Sequence, residues 1–418
     1  MSIQPDKRTG PLNGYKILDF TRVLGGPYGT MLLGDLGATV IKVEQPTGDT
    51  SRGLGPYLNN EDKDMGLGGF NNSINRNKKS IALDLKQPEA QKVAQKLAAE
   101  CDVLMINFSS PAIMQKYQLD YDTVKKINPK IVYVSMSGYG TSRVCPTCFE
   151  GKPTIDLMMQ AESGLMSVTG SPDGKMYKVG PGIGDTYSGT VAIVALLAAL
   201  VHAKDTGVGQ FVDISMLDSM VMLSERIVYQ YSYTGISPKP LGNRHPLQSP
   251  YSLYPTKDGT IVIAGEPSRY WDRLVEAMDI SELRNDPRFF TKESRLQNED
   301  AMDVLIEGWT KAHTTNEAMA ILDEHGCLTS ALNKAGDLFN NKQIEAREML
   351  VEVEGHPRTG EKVKIVGTPM KFSDTPAKVY HRAPLIGENS IEIMQQLGYG
   401  QEEIQKMLDN GTLISTKL

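Results

Sequence analysis

Four cysteines in 418 residues are too few to build a disulfide framework in a chain of this size. Cys145 and Cys148 have the spacing of half a zinc site, but no second Cys-x-x-Cys and no histidine pair accompanies them, so no metal site is expected. They lie among Gly138, Gly140, Pro146, Gly151 and Pro153, a loop composition without the strand-then-helix setting of a redox dithiol. The six histidines are scattered, and none stands at metal-ligand spacing from another His or a Glu. No G-x-x-x-x-G-K-[ST] occurs, which leaves P-loop ATP chemistry unsupported, and no G-x-S-x-G offers a serine nucleophile. The first eight residues are polar, without the apolar core of a secretion signal. The longest apolar run, residues 191–201, falls short of the ~20 residues of a membrane span. A cytoplasmic protein without a membrane partner is expected. With 44 basic against 50 acidic residues the formal net charge is −6, which argues against nucleic acid as a partner.

What is present is the alternation of an α/β protein. Apolar runs at residues 15–20, 39–44, 80–85, 103–107, 131–135 and 211–215 read as strands. Helical patterns at 28–36, 88–100 and 121–127 separate them, which predicts a largely parallel sheet. Ligands then collect beyond the carboxyl ends of the strands. The composition changes at residues 235–250, with four prolines and two glycines. Beyond it Lys257-Asp-Gly259 marks a hairpin, and helices at 270–278, 300–311 and 316–325 complete a second, smaller α+β domain. A strand near 363–366 and helices near 391–397 and 402–408 close the chain.

Three local patterns could carry chemistry. Gly25, Gly26 and Gly29 in the first βα turn lack dinucleotide spacing, although Glu44 ends the second strand where a ribose acid would stand. Arg76, Lys78, Lys79 and Lys86 bracket one strand, as a phosphate site or as a solvated turn. The third is Lys178-Val-Gly-Pro-Gly-Ile-Gly-Asp-Thr-Tyr-Ser-Gly189. Here Gly180, Gly182 and Gly184 deliver Asp185 to the N-cap of an apolar helix spanning residues 186–204. A capping carboxylate and a functional one are both consistent with this pattern. A functional Asp185 suits a nucleophile better than a proton donor, because it is ionised near neutral pH and favoured by the helix dipole.

Further stretches carry a resemblance. Asp19-Phe-Thr-Arg-Val-Leu-Gly-Gly-Pro27, Gly34-Asp-Leu-Gly-Ala-Thr-Val-Ile-Lys-Val-Glu44, Asn75-Arg-Asn-Lys-Lys-Ser-Ile-Ala-Leu-Asp-Leu-Lys86 and Ser137-Gly-Tyr-Gly140 resemble the class III coenzyme A transferases. So do Gly164-Leu-Met-Ser-Val-Thr-Gly170, the segment around Asp185, Thr206-Gly-Val-Gly-Gln210 and Arg382-Ala-Pro-Leu-Ile-Gly387. The match runs in order from about residue 11 to 410 and includes relatives of the formyl-CoA and carnitine CoA-transferases.

The resemblance implies a Rossmann-like large domain, residues 1–222 with 335–418, and a small domain, residues 223–334, in a ring-shaped monomer interlocked with its twin as a homodimer. It implies Asp185 as nucleophile, with Gly184 beside it and neighbouring glycine N–H groups stabilising oxyanions. The coenzyme A thioester is a substrate, and no permanently bound cofactor is implied. The carried-over CoA site is Arg22, Leu24, Gly25, Leu83, Lys86, Asn107, Phe108, Lys152 and Met216. Gln45 and Gln115 stand where family members carry cations, with Lys116 a substitute for the latter. Related α-methylacyl-CoA racemases carry a His before the position of Asp156, where this chain has Ile155, which disfavours a two-base mechanism. A non-catalytic acyl-CoA-binding relative is the other alternative. Residues 242–248 replace a tetraglycine loop of the formyl-CoA enzymes, so oxalate is not supported as acceptor. Arg226, Arg244 and His245 are candidate partners for the second carboxylate of a dicarboxylic substrate.

Overall fold

The computed structural model describes residues 3–416. Twelve strands, β1 to β12, occur in the described chain: Lys16–Asp19, Thr39–Glu44, Lys78–Leu83, Val103–Ile106, Val132–Ser137, Phe211–Ser215, Tyr251–Pro255, Thr260–Ala264, Leu328–Ala331, Leu350–Glu354, Lys362–Val366 and Leu413–Ile414. Seven of them form one sheet in the order β12-β3-β2-β1-β4-β5-β6. All its neighbours pair in parallel except β12, which runs antiparallel to β3 along the edge. The order 3-2-1-4-5-6 is that of a dinucleotide-binding fold, and it reverses direction between β1 and β4.

Both faces of this sheet are covered. One core gathers Leu18, Ile41, Ile81, Leu104 and Tyr133 under helices Pro88–Glu100, Tyr121–Ile127, Ser390–Gln396 and Gln401–Asp409. The other gathers Ile17, Val40, Val103, Val134 and Met136 under helices Gly25–Asp35, Ile183–Thr206 and Met216–Leu223. A strand buried on both faces reads as a continuous apolar run, as β4 does; β2 is equally buried along its whole length but carries Thr39, Lys42 and Glu44 among its apolar residues.

Charges are also buried in the sheet layer, each with a partner. Lys78 Nζ lies 3.0 Å from Asp19, Lys42 Nζ 3.0 Å from Asp49, Arg52 2.6 Å from Glu44 and Arg76 2.7 Å from Asp35. Removing one member of such a pair strands the other in a medium that cannot solvate it.

The helix Ile183–Thr206 has 24 residues and contains an 18-residue window of mean hydropathy 1.7, long and apolar enough by length and composition to cross a membrane. It is thus longer as a helix than its unbroken apolar run of residues 191–201 suggests. Ala192, Ile193, Leu196, Ala199, Leu200 and Ala203 form its buried stripe. It ends at Gly207, whose φ of 74° lets the chain turn out while its N–H caps the Ala203 carbonyl.

The chain divides into two compact units. Of the described residues, the larger contains 3–165, 178–233 and 342–416; the smaller contains 166–177 and 234–341. In the smaller unit β7, β8 and β9 form an antiparallel sheet packed with helices Ser268–Ala277, Glu299–Thr310 and Thr315–Glu324 around Tyr254, Ile261, Trp271 and Phe289. The hairpin across residues 257–259 is β7–β8, as its turn chemistry predicts. In the larger unit β10 and β11 form a separate two-stranded hairpin.

Candidate active site

The loops after β1, β4 and β5 meet at the switch point of the sheet. Asn107, just beyond β4, accepts the Arg22 N–H at its Oδ1 (2.7 Å) and donates its Nδ2 to the Arg22 carbonyl (2.7 Å). The guanidinium of Arg22 lies over the Phe108 ring at 4.6 Å. Val23 follows with φ 68°, a conformation that costs a β-branched residue free energy. Asp49 secures it by accepting the Val23 N–H at 3.2 and 3.3 Å, together with the Ser51 N–H and the Lys42 ammonium. Burial pushes the Asp49 carboxyl up, but Lys42 and these N–H donors outweigh burial and hold it down at about 2.

Asp185 reaches this place through a glycine-mediated helix crossing. A Cβ on Gly189 would lie 2.4 Å from the Gly25 carbonyl oxygen, and one on Gly29 would lie 3.0 Å from the Gly189 carbonyl oxygen. The helices Gly25–Asp35 and Ile183–Thr206 therefore touch backbone to backbone, and the Gly25 N–H donates to the Asp185 carboxylate. A Cβ at Gly25 would stand 2.9 Å from Asp185 Oδ1. Gly25 and Gly29 of the first βα turn serve this contact, while Gly26 makes room for Thr21. Glu44 is likewise not a ribose acid: Arg52 and Ser80 occupy both of its oxygens.

Asp185 is not the N-cap. Gly182 is, and Asp185 is the third residue of the helix. The approach glycines do not use positive φ; Gly182 has φ −73°. Gly184 instead clears space for Asp156, whose Oδ1 would sit 3.0 Å from a Cβ there and accepts the Gly184 N–H at 2.7 Å. That N–H is therefore engaged, and the expectation of a free oxyanion donor at Gly184 does not hold in this structure. Burial, then the negative charge of Asp156, raises the Asp185 carboxyl to about 6, with the Gly25 N–H opposing.

A cavity of about 350 Å³ is lined by Asp185, Asp156, Arg22, Asn107, Phe108, Lys152 and Met216, with Val23, Met136, Ser137 and Ile155 among its other walls. A neighbouring cavity of about 370 Å³ is lined by Leu83, Lys86, Gln45 and Tyr117, and shares Arg22 and Phe108 with the first. Leu24 packs where a Cβ on Gly182 would fall, 2.8 Å from its Cδ2. Lys152 extends over the rings of Tyr139 and Phe149.

The cation cluster is mostly structural: Arg76, Lys78 and Lys79 are paired with Asp35, Asp19, and Asp6 and Glu392. Lys86 is exposed at the second cavity. Arg244, in the smaller unit, is held by Asp300 at 2.7 Å and Asp303 at 2.5 Å, with Glu299 at 3.6 Å. It is not the open cation that the sequence suggests. Cys145 and Cys148 are free and exposed in the loop after β5. Sequence reasoning missed Val23 and Asp49, since only the three-dimensional contacts give these residues a role.

The sequence profile of CoA-transferase family III matches residues 12–390. The succinyl-CoA:mesaconate CoA-transferase of Haloarcula hispanica is 39% identical over 391 residues, 94% of this chain and 97% of the relative. The succinate–glutarate CoA-transferase of Agrobacterium fabrum is 32% identical over 401 residues, 95% of this chain and 98% of the relative. The crystal structure of a CAIB/BAIF family protein from Brucella suis superposes with a TM-score of 0.83 at 33% identity, covering 93% of this chain and all of that one. The chain belongs to CoA-transferase family III and is a transferase.

Proposed function

We propose that this transferase moves coenzyme A reversibly from an acyl-CoA to a free carboxylic acid through covalent intermediates on Asp185. The carboxylate attacks the thioester carbonyl, the C–S bond breaks, and CoA departs as thiolate, leaving a mixed anhydride. The thiolate then attacks the aspartyl carbonyl and expels the donor acid, giving an aspartyl-CoA thioester. The acceptor carboxylate attacks that thioester and releases CoA thiolate, which attacks the acceptor carbonyl of the second anhydride and frees Asp185. Covalent relay of this kind conserves the thioester's free energy without ATP.

The observation that carries this reading is the Asp185 carboxylate, raised to about 6, in one cavity with Arg22, Asn107, Phe108, Lys152 and Met216. A more basic carboxylate is a better nucleophile and is still ionised at neutral pH. Gly184 contributes by having no side chain. The second cavity, with Leu83 and Lys86, suits the nucleotide end of CoA, Lys86 supplying charge for phosphate. Gln45 there donates to the Gly48 carbonyl at 3.1 Å and offers no charge. Succinyl-CoA as donor and a short dicarboxylic acid as acceptor fit the names of the relatives. An interlocked homodimer in the cytoplasm belongs to the same reading, supported by the apolar Val194, Val201, Met222, Tyr231 and Tyr233, which the larger unit leaves exposed.

Incubation with succinyl-CoA and hydroxylamine should convert Asp185 to its hydroxamate, located by peptide mass. Proton exchange at the α-carbon of an acyl-CoA without an acceptor acid would favour the racemase alternative. CoA binding with neither outcome in folded protein would favour a non-catalytic relative.

A further inference from the structure

Asp156 opens the helix Asp156–Glu162 and binds the nucleophile's approach segment in two ways. Its Oδ1 accepts the Gly184 N–H at 2.7 Å, and its Oδ2 accepts Gln160 Nε2 at 2.8 Å. Gln160, fully buried, accepts the Val179 N–H at its own Oε1, also at 2.8 Å. The amide orientation is thereby set, since Nε2 must face the carboxylate and Oε1 the N–H. Residues 179–184 are clamped at both ends by one Asp–Gln pair on a neighbouring helix. Gly184 fits this arrangement, because a Cβ there would stand 3.0 Å from Asp156 Oδ1.

The pair leaves a second carboxylate at the wall of the Asp185 cavity, where a solely structural clamp would have served with a neutral acceptor. The charged side chains lining that cavity with Asp185 are Asp156, Arg22 and Lys152. Two like charges in a partly desolvated site disfavour each other. When Asp185 becomes an anhydride or a thioester it loses its charge, and the repulsion disappears.

Resting on the reading of Asp185 as nucleophile, we propose that Asp156, oriented by Gln160, is a positioning residue that fixes the glycine segment and favours the acylated over the free carboxylate state of Asp185. The raised Asp185 carboxyl agrees with this, burial being the larger cause and Asp156 the second.

The test is the pH dependence of kcat/KM for succinyl-CoA in Asp156→Asn, Asp156→Ser and Gln160→Met, each checked for folding by circular dichroism. Asp156→Asn keeps an oxygen acceptor for Gly184 but no charge, so the acid limb should move to lower pH. The hydroxylamine-trapped fraction should also fall, with kcat/KM at pH 7 reduced roughly tenfold. Gln160→Met loosens the clamp but keeps the charge, so the rate should fall without the limb moving down. An unmoved limb in a folded, neutral Asp156 variant whose Asp185 is still trapped would overturn the proposal and leave the nucleophile reading intact. Failure of both neutral variants to fold beside a folded Gln160→Met would also overturn it, by making Asp156 a residue of the fold. Absence of trapping in the wild-type enzyme would instead sink the nucleophile reading itself.

Discussion

Asn107 and Arg22 exchange two hydrogen bonds of 2.7 Å, side-chain amide to backbone, so the peptide of Arg22 is fixed while its guanidinium stays over Phe108. Replacing Asn107 with Ala leaves one N–H and one C=O without these partners at the cavity wall. Both groups are exposed, so the loss is about 0.5–1.5 kcal/mol, expected as a several-fold rise in the Kd of CoA with a smaller change in kcat. Isothermal titration with CoA checks it, and an unchanged Kd would mean that the loop does not bear on the ligand.

The Lys42–Asp49 pair predicts an acid-side loss of stability. Asp49 is held at about 2 in the folded chain against an ordinary 3.8, a depressed carboxyl. Its contribution, about 2 kcal/mol, is therefore complete above pH 4 and lost as pH falls through about 2. Asp49→Ala should cost about 3–5 kcal/mol at pH 7 by leaving Lys42 buried alone. It also releases Val23, so chemical denaturation should show the lost stability and CoA titration a weaker loop.

Asp185 has the opposite sign. Its folded carboxyl is raised to about 6 from 3.8, so the folded state binds the proton more tightly and stability falls as pH rises from about 4 to 6. Asp185→Asn should consequently be more stable than wild type at pH 8, by up to about 3 kcal/mol, and nearly equal to it at pH 4. Urea denaturation at the two pH values measures the difference. Greater stability of an inactive variant is the expected signature of a site built for reactivity.

In the smaller unit, Arg244→Ala removes the cation from Glu299, Asp300 and Asp303. The pairs are partly exposed, so the expected loss is modest, about 1–2 kcal/mol at pH 7. Burial already raises the Glu299 carboxyl and Arg244 opposes it, so losing the cation raises it further and the deficit should shrink as pH falls towards 4. A deficit that grows on acidification would contradict this assignment.

Much of the fold was legible in the sequence because its central strands are buried on both faces and read as apolar runs between helical patterns. β12 was not, since two residues, Leu413 and Ile414, carry no periodicity. Strand order is a long-range property, and no local pattern reveals that β1 lies beside β4. At the site, Asp185 was legible from its glycines, but the reason for them was not. Gly29 and Gly189 are far apart in sequence and meet only when two helices cross, and Gly184 answers to Asp156 on a third. The cations at 76–79 read as a phosphate site or a solvated turn because their acidic partners Asp19 and Asp35 belong to other elements. The resemblance brought the cavity residues together before the fold did, whereas Arg244, suggested by its charge alone, is closed off by Asp300 and Asp303.

The most direct test of the central claim is exchange of labelled succinate into succinyl-CoA by the Asp185→Asn enzyme, compared with wild type at equal folded concentration. Loss of exchange to the level of a protein-free control, with CoA still bound, is the predicted result. Exchange at the wild-type rate would contradict it.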